Sequence, residues 1–182
     1  LYRLYAYLSN MSFTPNEIAD QIRENVNFVL SNKDFLIKYL DNDITDVLRS
    51  EIIAKTASKF SSQKEVRVAL FSIQRNFYDG SGLVADGRDM GTVVFNDAKL
   101  KVFLTASPEE RAQRRYLELQ NRGQEVNMRE LIDDIKKRDF KDSSRELSPL
   151  FPAEDAHIID SSNLSLEEVF SITENLIKKE FN

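Results

Sequence analysis

The segment Leu83-Val84-Ala85-Asp86-Gly87-Arg88-Asp89-Met90-Gly91 sets two acid–base neighbours between glycines, directly after an apolar triplet. Four of the five glycines, Gly80, Gly82, Gly87 and Gly91, fall within residues 80–91. Glycine admits positive φ and lets a ligand approach the backbone closely, so this segment suits an anion site. Taken alone, an ordinary charged loop explains it too. A second group is Arg138-Asp139-Phe140-Lys141-Asp142-Ser143-Ser144-Arg145. Arg138 and Asp142 are one helical turn apart and Arg145 lies two turns from Arg138, so all three share a face if the helix continues. A surface salt-bridge ladder is the other reading. A third group, Arg111, Arg114, Arg115 and Arg122, lies along one side of a helix, as a solvated face or as a lid carrying arginines over a phosphate.

Other chemistries lack their residues. His157 is the only histidine and sits in an apolar stretch, where it reads as structural. With no cysteine, disulfides and thiolate metal sites are excluded, and no Ser–His or Cys–His pair offers a covalent nucleophile. No cluster has zinc-ligand spacing, and no residue is assigned to a metal. Arginines, a few aspartates and a glycine-rich loop suit phosphoryl transfer, where positioning and charge neutralisation do most of the work. A net charge of −5 argues against a general nucleic-acid-binding surface, so any polyanion must meet a local arginine cluster. No apolar run approaches a membrane span, and Leu1–Leu8 is interrupted by Arg3 and has no signal-peptide layout. The chain starts without methionine and reads as one whose beginning is not shown.

The elements that must position these groups follow from periodicity. At 182 residues one domain is expected, perhaps with a small insert. Leu1, Leu4, Tyr5 and Leu8 have helical spacing. Thr14-Pro15-Asn16-Glu17 is a capping box that opens a helix to about Glu24. Residues 25–31 and 35–40 read as strands joined by a turn at Asn32-Lys33-Asp34, 44–48 as a weaker strand, and 49–60 as helix. Ser62-Gln63-Lys64-Glu65 predicts a second box, on a helix whose apolar face is Val66, Ala69, Leu70, Ile73 and Phe77. Leu83–Ala85 reads as a buried central strand and 100–104 as another. Ser107 caps a helix to about Arg122, Asn127 one through about Arg138, and Ser165 with Glu168 the closing helix; 157–160 is a last strand. Alternating strands and helices of these lengths imply an α/β fold with parallel pairing, helices on both faces, and ligands beyond the strands' carboxyl ends.

Residues 82–95, 100–116, 135–150 and 153–169, with D-G-R-D-M-G-T and R-D-x-x-D-x-x-R among them, closely resemble the bacterial cytidylate kinase family. The likeness reaches weakly back to Tyr2-Arg3. It implies a parallel-sheet P-loop NTPase core of the nucleoside monophosphate kinase kind, over 1–182, with a small β-containing CMP-binding insert at 23–61 and a helical lid at 108–142. It implies that Arg3, Arg88 and Arg145 hold the acceptor phosphate and stabilise the group in flight. Ser58, Arg67 and Asp89 would read the cytosine, and Arg138 and Asp142 would contact the ribose, with Arg138 also near the transferred group. Catalysis would rest on Arg88, Arg138 and Arg145, and the helix from Arg111 would begin the lid.

The activity implied is ATP-dependent phosphorylation of CMP and dCMP, with Mg²⁺, by a cytoplasmic monomer that needs neither nucleic acid nor membrane. The family's G-x-x-x-x-G-K-[ST] phosphate loop is not in this sequence, which picks up at Leu1-Tyr2-Arg3, so an upstream segment is expected to be missing. Two rivals stand beside this reading: a non-catalytic CMP-binding module without a P-loop, and an interaction domain whose arginines are only surface charge.

Overall fold

Thr14 turns the chain into its first long helix by the reciprocal bonding its sequence promises. Its backbone N–H donates to Glu17 Oε2 at 2.7 Å and its hydroxyl oxygen accepts from Glu17 N at 3.4 Å, with Pro15 at the first helical position. The structure is a computed structural model and describes residues 1–30, 35–121 and 123–181. It divides into two compact units, Leu1–Val84 and Ala85–Asn182. The turn at Asn32-Lys33-Asp34, and Arg122, lie outside the described residues.

The first unit runs α1 (Tyr2–Leu8), a single 3₁₀ turn (Ser9–Met11), α2 (Pro15–Asn25), β1 (Val26–Leu30), β2 (Phe35–Tyr39), β3 (Asn42–Asp43), α3 (Thr45–Arg49), α4 (Glu51–Phe60) and α5 (Lys64–Arg75). β1 and β2 pair antiparallel from Val26↔Tyr39 to Leu30↔Phe35, and β3 adds to β2. One core holds the unit together. Leu4 and Leu8 of α1, Ile18 and Ile22 of α2, Ile44, Leu48, Ile53, and Val66 and Leu70 of α5 are all buried in it. These repeats of three and four residues are the helical spacings that put apolar groups on one face.

Three expectations fail in this unit. Residues 44–48 are not a strand: Asp43 Oδ1 accepts from Thr45 N at 2.9 Å and Thr45 Oγ1 at 2.6 Å, and helix α3 starts there. Ile44 and Leu48 are buried while Val47 is exposed, a spacing of four that buries a helix and not a strand. The second capping box does not form. Ser62 Oγ donates back to Lys59 O at 2.8 Å, and α5 begins behind Gln63 with no side-chain cap. That helix also stops at Arg75, which leaves Phe77 exposed and stacked edge-on against Phe28 at 5.5 Å.

Leu83–Ala85 forms no strand, and Val84 is 94% exposed. A strand exists only through its ladder, and among the described residues none pairs with this triplet. Gly80 and Gly82 use the freedom of glycine, at φ +95 and +128, to turn the chain towards it.

The second unit opens on the charged loop and a single wide helical turn (Met90–Val94), in which Val94 N reaches Asp89 O at 3.2 Å and Phe95 N reaches Met90 O at 2.7 Å. Such i→i+5 turns are rare and are not visible in a hydropathy pattern. Then follow β4 (Val102–Thr105), α6 (Pro108–Asn121), α7 (Met128–Ser143), β5 (His157–Asp160) and α8 (Leu166–Phe181). β4 and β5 pair in parallel from Val102↔His157 to Thr105↔Asp160, as the alternation predicts. The closed layer with helices on both faces is not seen among the described residues: Val102, Leu104 and Ile158 remain exposed and α8 buries no residue. Among the described residues, no helix is long and apolar enough to cross a membrane.

Asn127 Oδ1 accepts from Arg129 N at 2.9 Å and Glu130 N at 3.4 Å, which fixes the start of α7. Ser165 and Glu168 form a full reciprocal box at the start of α8. At α6 only half the box is made. Ser107 Oγ accepts from Glu110 N at 3.1 Å, but Ser107 N donates to Ser162 Oγ at 2.9 Å and Glu110 turns to Arg114.

Candidate functional site

The sequence candidates are divided between the two units. In the second, the rare wide turn after Asp89 carries Arg88 on the loop just ahead of it, and α7 presents Arg138 and Asp142 one turn apart. Arg145 follows immediately past the end of α7. Leu150 N donates to Asp142 O at 2.9 Å, with Ser148 at φ 51, so the chain folds back over the end of the helix.

These residues meet at one point. The Asp142 side chain is 0% exposed, and its carboxylate pairs with Arg88 Nη1 and Arg145 Nη2, with Arg138 Nε at 3.9 Å. The Arg145 side chain is itself only 8% exposed, so it is not a surface charge. Arg88 is pushed down to about 10 by burial first, and then by repulsion from Arg138 and Arg145. The guanidinium is still charged at neutral pH but crowded by its own kind. Two groups at the rim act on it in opposite senses, Asp139 favouring its charge and Arg111 opposing it. Asp89, next to Arg88, is buried at 5% exposure.

The lid candidates are differently employed. Arg111 forks onto Asp139, Nη1 to Oδ1 at 2.9 Å and Nη2 to Oδ2 at 2.5 Å, and donates from Nε to Ala106 O at 3.1 Å. The bond to Asp139 raises the Arg111 guanidinium above its ordinary value. Arg114 pairs with Glu110 at 3.1 Å and donates to Ser161 O at 2.7 Å and Ser161 Oγ at 3.2 Å, while Arg115 pairs with Glu118 at 2.5 Å. Arg111, Arg114 and Arg115 of α6 are thus each paired with a carboxylate. Lys136 bonded to Glu109 at 2.8 Å adds a second tie between α6 and α7.

In the first unit Arg3 is exposed at the start of α1 and donates from Nη1 to Leu48 O at 2.7 Å, at the end of α3. Ser58 and Arg67 are brought together through Ser61. Arg67 Nη1 donates to Ser61 O at 2.8 Å, and Ser61 Oγ donates to Ser58 O at 2.9 Å. The Arg67 guanidinium also lies over the Tyr2 ring, 5.8 Å from its centre. Sequence reasoning missed Ser61 and Tyr2. Tyr2 stands beside a candidate arginine, but nothing local points from it to residue 67. Asp139 was within view as part of the R-D-x-x-D-x-x-R run, though its partner on α6 was not. His157 lies on β5 and is exposed, outside either group.

The second unit thus gathers guanidiniums from a loop, a helix and the segment behind it, which can bind a compact anion with more than one negative charge. The geometry is that of an anion cradle. Among the described residues no group of three or more His, Cys, Asp or Glu side chains could hold a metal ion.

Comparison with known proteins agrees in kind. The family model described as cytidylate kinase matches residues 1–179. The chain is 54% identical over 127 residues to a cytidylate kinase of Stutzerimonas stutzeri, covering 70% of this chain and 56% of that protein. To cytidylate kinase 1 of Haemophilus influenzae it is 46% identical, over 79% of this chain and 62% of that one. To a cytidylate kinase of Pseudomonas putida it is 44% identical, over 93% of this chain and 77% of the relative. Against the first two, the chain spans less than two thirds of the relative's length.

Proposed function

This chain belongs to the cytidylate kinase family, and we propose from that premise that it serves the phosphorylation of CMP and dCMP by ATP, giving CDP or dCDP and ADP. The observation that carries this reading is the convergence of Arg88, Arg138 and Arg145 on a single enclosed point. An acceptor phosphate is already an anion, so it attacks without a general base. Its oxygen forms a bond to the γ-phosphorus of ATP as the bond from that phosphorus to the bridging oxygen of ADP breaks. The obstacle is repulsion between two polyanions. Guanidiniums on both sides of the acceptor offset it and hold the reacting oxygens in line.

Within this reading, Arg3, Arg88 and Arg145 hold the acceptor phosphate and Arg138 sits beside the transferred group. Asp142 and Arg138 serve the ribose. Ser58, Arg67 and Asp89 read the base, because a carboxylate can accept from the cytosine amino group and an arginine can donate to N3 or O2. Residues 23–61 act as the CMP-binding insert and 108–142 as the lid, in a monomer working in the cytoplasm on small nucleotides. Mg²⁺ is expected to accompany ATP.

Calorimetric titration of CMP and UMP into the chain tests the reading. Saturable CMP binding is expected, with UMP weaker by roughly tenfold to several hundredfold, because uracil O4 would face the Asp89 carboxylate with no proton between them. Arg88→Ala is expected to abolish most of the CMP signal. Equal affinity for the two nucleotides, or no binding of either, refutes it.

A further inference from the structure

Asp142 is a costly residue to place where it stands. Its carboxylate has no exposure, and burying a charge is unfavourable unless partners surround it. Three guanidiniums do so, from the loop, from α7 and from the segment behind it. A carboxylate and a phosphate differ in what they offer such donors. Guanidiniums present planar forks of N–H donors, and a carboxylate offers two oxygens in one plane and a single charge. A phosphate monoester offers three terminal oxygens, arranged tetrahedrally, and up to two charges.

We propose that Asp142 is a built-in stand-in for the incoming phosphate: it occupies the arginine cradle of the ligand-free chain and gives way when a phosphate enters. This deepens the nucleotide reading above and rests on it for the identity of the natural phosphate. While the site is empty the carboxylate holds Arg88, Arg138 and Arg145 together against their mutual repulsion. When phosphate enters, each guanidinium exchanges one anion for a better-fitting one, and Asp142 is released from the face it occupied. The exchange sets a threshold. A ligand without a phosphate cannot displace the carboxylate, so a nucleoside finds the cradle closed. Asp142 is thus a positioning residue whose charge lowers affinity for anions in general and leaves the phosphate group as the entry requirement.

The probe is inorganic phosphate, titrated by calorimetry against chloride at matched ionic strength, with the full chain and with Asp142→Asn. Removing the competing charge is expected to tighten phosphate binding at least tenfold, a gain that a residue serving only to stabilise the fold would not produce. Unchanged or weaker phosphate binding overturns the proposal. If Asp142→Asn shows no cooperative thermal transition in phosphate-free buffer, its recovery on adding phosphate supports the stand-in role, and failure to recover overturns it. The nucleotide reading is separated by CMP titration of the unaltered chain. Normal CMP binding with no phosphate gain in the variant sinks the stand-in alone, and a phosphate gain without CMP binding sinks the nucleotide reading alone.

Discussion

Replacing Asp139 or Arg111 by alanine, singly and together, measures what ties α6 to α7. The two side chains are 36% and 32% exposed and meet in a fork with N–O distances of 2.9 and 2.5 Å. A hydrogen bond to a charged group contributes ~1.5–3 kcal/mol to stability, and there are two. Holding both side chains in one rotamer gives back ~1–3 kcal/mol, and their exposure lets solvent screen the charge. A coupling energy of about 1–2 kcal/mol is left. For a chain of this size that is roughly 2–8 °C in Tm. The two single variants should not be equal. Asp139 favours the charge on Arg88 and Arg111 opposes it, so losing Asp139 removes the clamp and also sharpens repulsion in the cradle. Arg111→Ala relieves part of that repulsion and should cost less. Thermal or urea unfolding of the four proteins gives the cycle, and high salt should shrink the coupling. A coupling energy below about 0.3 kcal/mol, or equal losses from both single variants, would refute the reasoning.

Asn127→Ala should lower stability by ~1 kcal/mol, because it uncaps α7, whereas Ser62→Ala should leave stability within a few tenths, since Ser62 caps no helix start and its bond to Lys59 O is solvent-exposed. Equal losses in urea unfolding would contradict that contrast. Acid should weaken the fold gradually. Glu17, Asp43, Asp79, Glu109, Asp155, Asp160 and Glu168 are each held below the ordinary carboxylate range by a hydrogen bond, from Thr14, Thr45, Ser81, Lys136, Lys101, Ser162 and Ser165 respectively. Their folded pKa lies below the unfolded one. Their contribution is therefore present above about pH 4 and is lost as pH falls through the lowered values. A Tm that holds or rises from pH 5 to pH 3 would show the sign to be wrong.

Where local rules had no competitor, the sequence was a sufficient guide. Thr14 with Glu17, Asn127, and Ser165 with Glu168 cap their helices because every partner lies within three residues, inside one turn. The parallel pairing of 102–105 with 157–160 followed from the alternation of elements. Helical spacing put Arg138 and Asp142 one turn apart on α7, but the helix ends at Ser143, so Arg145 meets Asp142 from the segment behind it and not along a shared helix face. Where two local outcomes were close in energy, sequence pattern did not choose between them. Ser62 could bond forward into α5 or back to Lys59, and it went back. Ile44 to Leu48 read as a weak strand, but the core took residues four apart and made it helix. Leu83–Ala85 has the composition of a strand, but pairing is a property of two segments and no composition supplies the second. The same holds for the site. Periodicity could place Asp142 on α7 but could not say that Arg88, from a distant loop, would meet it, nor that Asp139 would claim Arg111. Charges attract over distances that the order of residues does not encode, so which arginine answers which carboxylate is decided only when the chain has folded.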